Sequence, residues 1–126
     1  MSDGVVDAFW RFHRLSTSGD REDRLASEEY FWAEEEVSLA IRTASPGVVD
    51  LISSLADAAP DDMALAALGA GPLEDLIHGK GSDFADEIEQ AAIANERFLR
   101  ALRCVWFGSS LDDDLRKRLQ RFGPPL

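Results

Sequence analysis

At 126 residues and 13.9 kDa, with 45% hydrophobic and 29% charged residues, the chain fits one domain spanning 1–126 and excludes a disordered polymer. A domain of this size buries about two-thirds of its unfolded surface, enough for a core without disulfide or metal, and no apolar run approaches the ~18 residues of a membrane helix. The net charge of −11 is uneven: residues 28–96 carry sixteen acids against only Arg42 and Lys80, whereas residues 97–126 carry seven bases and three acids.

In chain order, Asp3 is positioned to cap a helix over Val5–Leu15, with Val5, Phe9 and Phe12 at helical spacing and Trp10 beside them. Ser16-Thr17-Ser18-Gly19-Asp20 reads as a loop. A long helix is expected from Arg24 to Ala44, striped by Tyr30, Ala33, Val37, Ala40, Ile41 and Ala44. Phe31, Trp32 and Leu39 widen its apolar surface, so contact with neighbours on more than one side is expected. Ser45 as cap and Pro46 at the first position open a helix to Ala59. Pro60-Asp61-Asp62 restarts one to Leu68, and Gly69-Ala70-Gly71-Pro72 is expected to break it before a short helix, Leu73–His78. Ser82 or Asp83 then caps Phe84–Ala94, Glu96–Phe107 follows, and Leu111–Phe122 is the last helix. Sustained alternation is absent, so no strand is predicted.

Val49-Asp50-Leu51-Ile52 matches Ala85-Asp86-Glu87-Ile88, and one residue of slippage aligns Met63 with Phe98 and Ala66 with Ala101. The match suggests two related helix–turn–helix units. The resulting fold class is all-α: a compact bundle of about seven helices with HEAT-like antiparallel pairs.

Four stretches carry a resemblance: Tyr30-Phe31-Trp32-Ala33-Glu34-Glu35-Glu36-Val37, Asp57 to Asp62, Gly69-Ala70-Gly71-Pro72-Leu73-Glu74-Asp75-Leu76, and Phe98 to Trp106. In this order, over residues 30–107, the chain resembles an uncharacterised bacterial all-helical family of unknown function with an Ala-Gly-Pro-Leu-Glu-Asp-Leu core. An aromatic usually stands where this chain has Glu34. The resemblance implies a small helical protein and carries over no activity.

Glu74, Asp75 and His78 share a helical face through i, i+3 and i, i+4 spacing, a pattern able to hold a metal or pair a base with its orienter. Each also has a structural reason, acids near a helix start and histidine near its end, and the second Glu-x-x-His of a di-iron bundle is missing. His13 has no metal-spaced companion. Cys104 beside an apolar stripe reads as a small hydrophobe, with no third group to complete a nucleophile. The glycines at 69 and 71 follow no strand and precede no Lys-Ser/Thr, so no phosphate loop and no cofactor are expected. Arg116, Lys117, Arg118 and Arg121 follow Asp112-Asp113-Asp114, an arrangement that complements the helix dipole and also permits pairing with the acidic block.

The leading functional expectation is a non-enzymatic acidic module that docks on a basic protein, as immunity proteins and inhibitors of nucleic-acid enzymes do. Glu34, Glu35, Glu36, Asp61, Asp62, Glu74 and Asp75 are the expected contact acids. Direct nucleic-acid binding is disfavoured by repulsion of phosphate, and no membrane contact is expected. One lone cysteine and a start without basic or apolar character predict a cytoplasmic protein. The alternatives are a metal-binding or hydrolytic protein centred on Glu74, Asp75 and His78, and a homo-oligomeric scaffold using Trp10, Trp32 or Trp106. Acidity for solubility alone also accounts for the charge.

Overall fold

The computed structural model describes residues 4–123. The expected cap Asp3 lies outside them. The described residues form nine α-helices: α1 Val5–Ser16, α2 Arg21–Ala26, α3 Phe31–Arg42, α4 Val48–Ala58, α5 Asp62–Leu68, α6 Glu74–Lys80, α7 Ala85–Ala94, α8 Glu96–Leu102 and α9 Asp113–Gln120. A 3₁₀ turn at Ser27–Tyr30 joins α2 to α3, and a π turn at Gly69–Leu73 joins α5 to α6. The result is seven continuous helical rods and, among the described residues, no strand.

Sequence patterning places the rods but misreads four joints. The helix expected from Arg24 starts earlier, because Asp20 accepts the Glu22 N–H at 2.9 Å. It then tightens where buried Ser27 donates its hydroxyl to the Arg24 carbonyl at 2.6 Å, a local bond that competes with regular α geometry. Ser45-Pro46 does not open α4. Ala44 takes a left-handed conformation, φ 51°, and the Ser45 N–H returns to the Ala40 carbonyl, closing α3 in the manner of a Schellman motif. Gly47, φ 84°, then begins α4. Alanine is strained where this motif ordinarily holds glycine. Ala44→Gly is therefore expected to raise stability by about 0.5–1 kcal/mol, read as a higher urea midpoint with unchanged slope.

The third joint is Gly69-Ala70-Gly71-Pro72, where the helix continues rather than breaks. Proline lacks an N–H and crowds the preceding turn, and the wider π turn accommodates both. Gly69 serves close packing instead of a turn: a Cβ there would collide with the Ala101 carbonyl of α8 and lie 3.0 Å from the Cys104 Cβ. The helix expected to reach Phe107 ends at Leu102. Beyond it the chain extends, so Val105 and Phe107 point into the core and Trp106 points out.

The core is continuous across the rods, with Phe9, Ile52, Leu55, Leu68, Leu76, Ile88 and Phe98 almost fully enclosed. Trp10 donates its indole N–H to the Leu55 carbonyl at 2.9 Å, fixing α1 on α4. The suspected repeat has a counterpart in packing: α4 contacts α5, α7 contacts α8, α4 contacts α7, and α5 contacts α8. The two helical pairs are packed on one another, with α4 also lying against α8. The outer helix α9 buries Leu115 and Leu119 and meets α7 through charge. Arg118 pairs with Glu89 and, at 2.6 Å, with Asp86, while Arg121 reaches Glu89 at 3.1 Å.

The Arg118 hydrogen bond lowers the Glu89 pKa against partial burial and the nearby Asp86 charge. A lowered folded pKa means that this contribution to stability is complete above the unfolded glutamate value and is lost as pH falls through the folded one. Acid is therefore expected to loosen α9 first, seen as early exchange of the Leu115 and Leu119 amides, and Glu89→Gln should flatten that dependence.

Candidate functional site

The expected contact acids prove to have different occupations. Asp61 caps α5, accepting the Ala64 N–H at 2.8 Å. Asp62 pairs with Arg100 at 3.0 Å. Glu34 is half-buried and meets His13 at 3.2 Å. Glu35 is exposed on α3, and Glu36 is half-buried. Asp75 is exposed on α6, and its pKa is raised by desolvation and then by Glu74, with His78 opposing.

Glu74 and His78 converge, as their spacing predicts, but on the backbone of Trp106. Glu74 Oε1 accepts the Trp106 N–H at 2.7 Å, and His78 Nε2 lies 2.8 Å from the Trp106 carbonyl. A carbonyl only accepts, so Nε2 carries the proton of that bond. Both residues are occupied in clamping the backbone N–H and C=O of one residue, Trp106, which is 62% exposed. Among the described residues no three His, Cys, Asp or Glu side chains are grouped to hold a metal. Cys104 is half-buried with Sγ 3.5 Å from the Arg100 carbonyl, and the flanking Arg100 and Arg103 are directed to Asp62 and the Phe122 carbonyl.

The bases of the C-terminal segment are largely engaged within the molecule. Arg97 donates to the carbonyls of Ala56 and Ala59 at 2.8 and 2.5 Å, closing the end of α4. Arg103 and Arg116 bond backbone carbonyls, and Arg100, Arg118 and Arg121 meet acids. Neutralisation by these arginines therefore falls on α5 and α7 and does not reach the 3₁₀ turn or Glu35 of α3. The side chains of Glu28, Glu29 and Glu35 have no cationic partner among the described residues.

Helix α3 does touch neighbours on more than one side, α1 and α6, yet Phe31, Trp32 and Leu39 remain 46%, 41% and 51% exposed. Ala33, Val37, Ala40 and Ile41 of α3 are buried, so Trp32, Glu35 and Leu39 mark its outer face at helical spacing. Large apolar side chains ringed by unpaired acids make a face suited to an apolar contact with a basic rim. Of these acids sequence reasoning named only Glu35 as a contact residue, and it placed Trp32 at an interface only in the scaffold alternative. The signal was present in the excess apolar positions of α3, but their exposure depends on which helices stand opposite.

A family model described as a family of unknown function, DUF6869, matches residues 20–123. The chain belongs to this family. The match takes in every helix except α1, so the outer face of α3 and the Glu74–His78 clamp both lie within the DUF6869 region. No curated protein and no solved structure matches the chain.

Proposed function

We propose that the protein is a non-enzymatic binding module that docks on a basic protein through the outer face of α3. Trp32 and Leu39 supply apolar contact, and Glu28, Glu29 and Glu35 supply charge. The observation that supports this reading is the uneven internal neutralisation: the C-terminal arginines answer acids on α5 and α7, while Glu28 and Glu29 of the 3₁₀ turn and Glu35 of α3 have no cationic partner among the described residues. An immunity protein or an inhibitor of a nucleic-acid-processing enzyme fits this chemistry, because surface carboxylates imitate the phosphates that such an enzyme attracts. The same field repels nucleic acid itself. No helix among the described residues is long and apolar enough to cross a membrane, and a lone reduced cysteine suits the cytoplasm, where the proposal places the protein.

Affinity for the partner is expected to fall steeply between low and physiological salt, because rim charges are screened within about 8 Å at physiological ionic strength. Neutralising Glu28, Glu29 and Glu35 to glutamine should weaken binding about 10- to 100-fold, chiefly through association rate. Titration calorimetry across a salt series checks both; binding indifferent to salt and to neutralisation sinks the proposal. Of the metal-site alternative only Asp75 remains uncommitted, since Glu74 and His78 hold Trp106. The oligomer alternative loses Trp10, which is buried, and keeps Trp32 and Trp106.

A further inference from the structure

A cleft of about 460 Å³ lies between α1, α3 and the α5–α6 rod, away from the outer face of α3, and its volume is that of a small-molecule site. Val37, Ile41, Ala67 and Pro72 form its apolar wall. Arg42 and Lys80 both stand on it, and these are the only bases in residues 28–96. They come from different helices, 38 positions apart in sequence, and neither side chain has a hydrogen bond or ion pair with any described residue.

Each occupies the last turn of its helix, where the dipole favours a cation. That preference does not account for their meeting, since α4, α5 and α7 have no base in their last turns. The same cleft is also lined by Asp75 and the His13–Glu34 pair, all able to take part in hydrogen bonds. Gly71 and Gly79 also line it, and a Cβ at either position would meet nothing within 4 Å, so the space in front of both is open.

We propose that this cleft binds a small organic anion, a carboxylate or a phosphate monoester, with its charged group between Arg42 and Lys80 and its donor groups towards Asp75 and the His13–Glu34 pair. The apolar body of the ligand lies along Val37, Ile41 and Pro72. Two unpaired cations lining one cleft inside an otherwise acidic segment give the anion a local attraction, with Glu34 and Asp75 of the same lining left to meet the ligand's donors.

The test titrates the ¹⁵N-labelled full chain with phenyllactate and, separately, adenosine monophosphate. Saturable shifts are expected at the Gly71 and Gly79 amides, with Gly4, Gly19 and Gly108 unmoved and a dissociation constant of roughly 0.01–1 mM. A response to one probe alone identifies carboxylate or phosphate as the recognised group. Arg42→Gln with Lys80→Gln should weaken binding at least about tenfold with only a small fall in Tm, since each side chain loses its helix-dipole interaction and no ion pair. Gly71→Leu, which fills the open space, should weaken it independently. Absence of saturable shifts with both probes at about 10 mM overturns the proposal. So do shifts that survive the double substitution and Gly71→Leu unaltered.

Discussion

Gly69→Ala is expected to destabilise the protein by about 3 kcal/mol or more, lowering Tm by roughly 10 °C. The added methyl has no space: it meets the Ala101 carbonyl and the Cys104 Cβ, so α8 must move away from the π turn. Backbone cannot adjust as a side-chain tip does, and Leu68, Leu73, Phe98 and Leu102 on either side are nearly fully enclosed. Gly71→Ala, two residues away, meets nothing within 4 Å and should be neutral or stabilising by about 0.5 kcal/mol through helix propensity. Thermal unfolding of the pair separates close packing from backbone freedom. Equal effects would show that glycine at 69 serves a turn rather than the approach of α8.

Arg97→Met should cost about 2–3 kcal/mol while keeping most of the apolar stem. The guanidinium donates to the Ala56 and Ala59 carbonyls at the end of α4, where no glycine or basic last-turn residue is present. Asn95 completes the junction by accepting from the Arg97 and Phe98 N–H groups and donating to Asp57 at 2.9 Å. Removing the arginine head leaves two helix-end carbonyls to part-buried surroundings, which is costlier than losing an exposed ion pair. Urea denaturation reads the loss; a change below about 0.5 kcal/mol would mean that water replaces the guanidinium freely.

The rods were legible in the sequence because period 3.6 repeats over Val48–Ala58, Ala85–Ala94 and the buried stripe of α3. Their joints were less so, for identifiable reasons. Glycine before proline signals a break in composition, yet Gly69 is required by a neighbour 32 positions away, which no local pattern encodes. Val105 and Trp106 continue the helical spacing of Phe98, Leu99 and Leu102, but capping at Arg103 and extension beyond it reassign Trp106 to the surface. The acidic face was visible as charge count alone. Which acids remain unanswered depends on where the C-terminal arginines land, and this removes Asp62 and Glu89 from the open set while leaving Glu28, Glu29 and Glu35 in it. Arg42 and Lys80 likewise come to line one cleft only when α3 packs on α6.

The docking proposal turns on one comparison: capture from a lysate of the source organism by the tagged wild type, beside a variant carrying Glu28→Gln, Glu29→Gln, Glu35→Gln and Trp32→Ala. Glu74 stays intact in this variant so that the Trp106 clamp and the fold are preserved. The account predicts a basic protein, a nuclease or another nucleic-acid-processing enzyme, retained by the wild type at low salt and lost both from the variant and at high salt. A partner held equally by both proteins, or one without basic character, would contradict it.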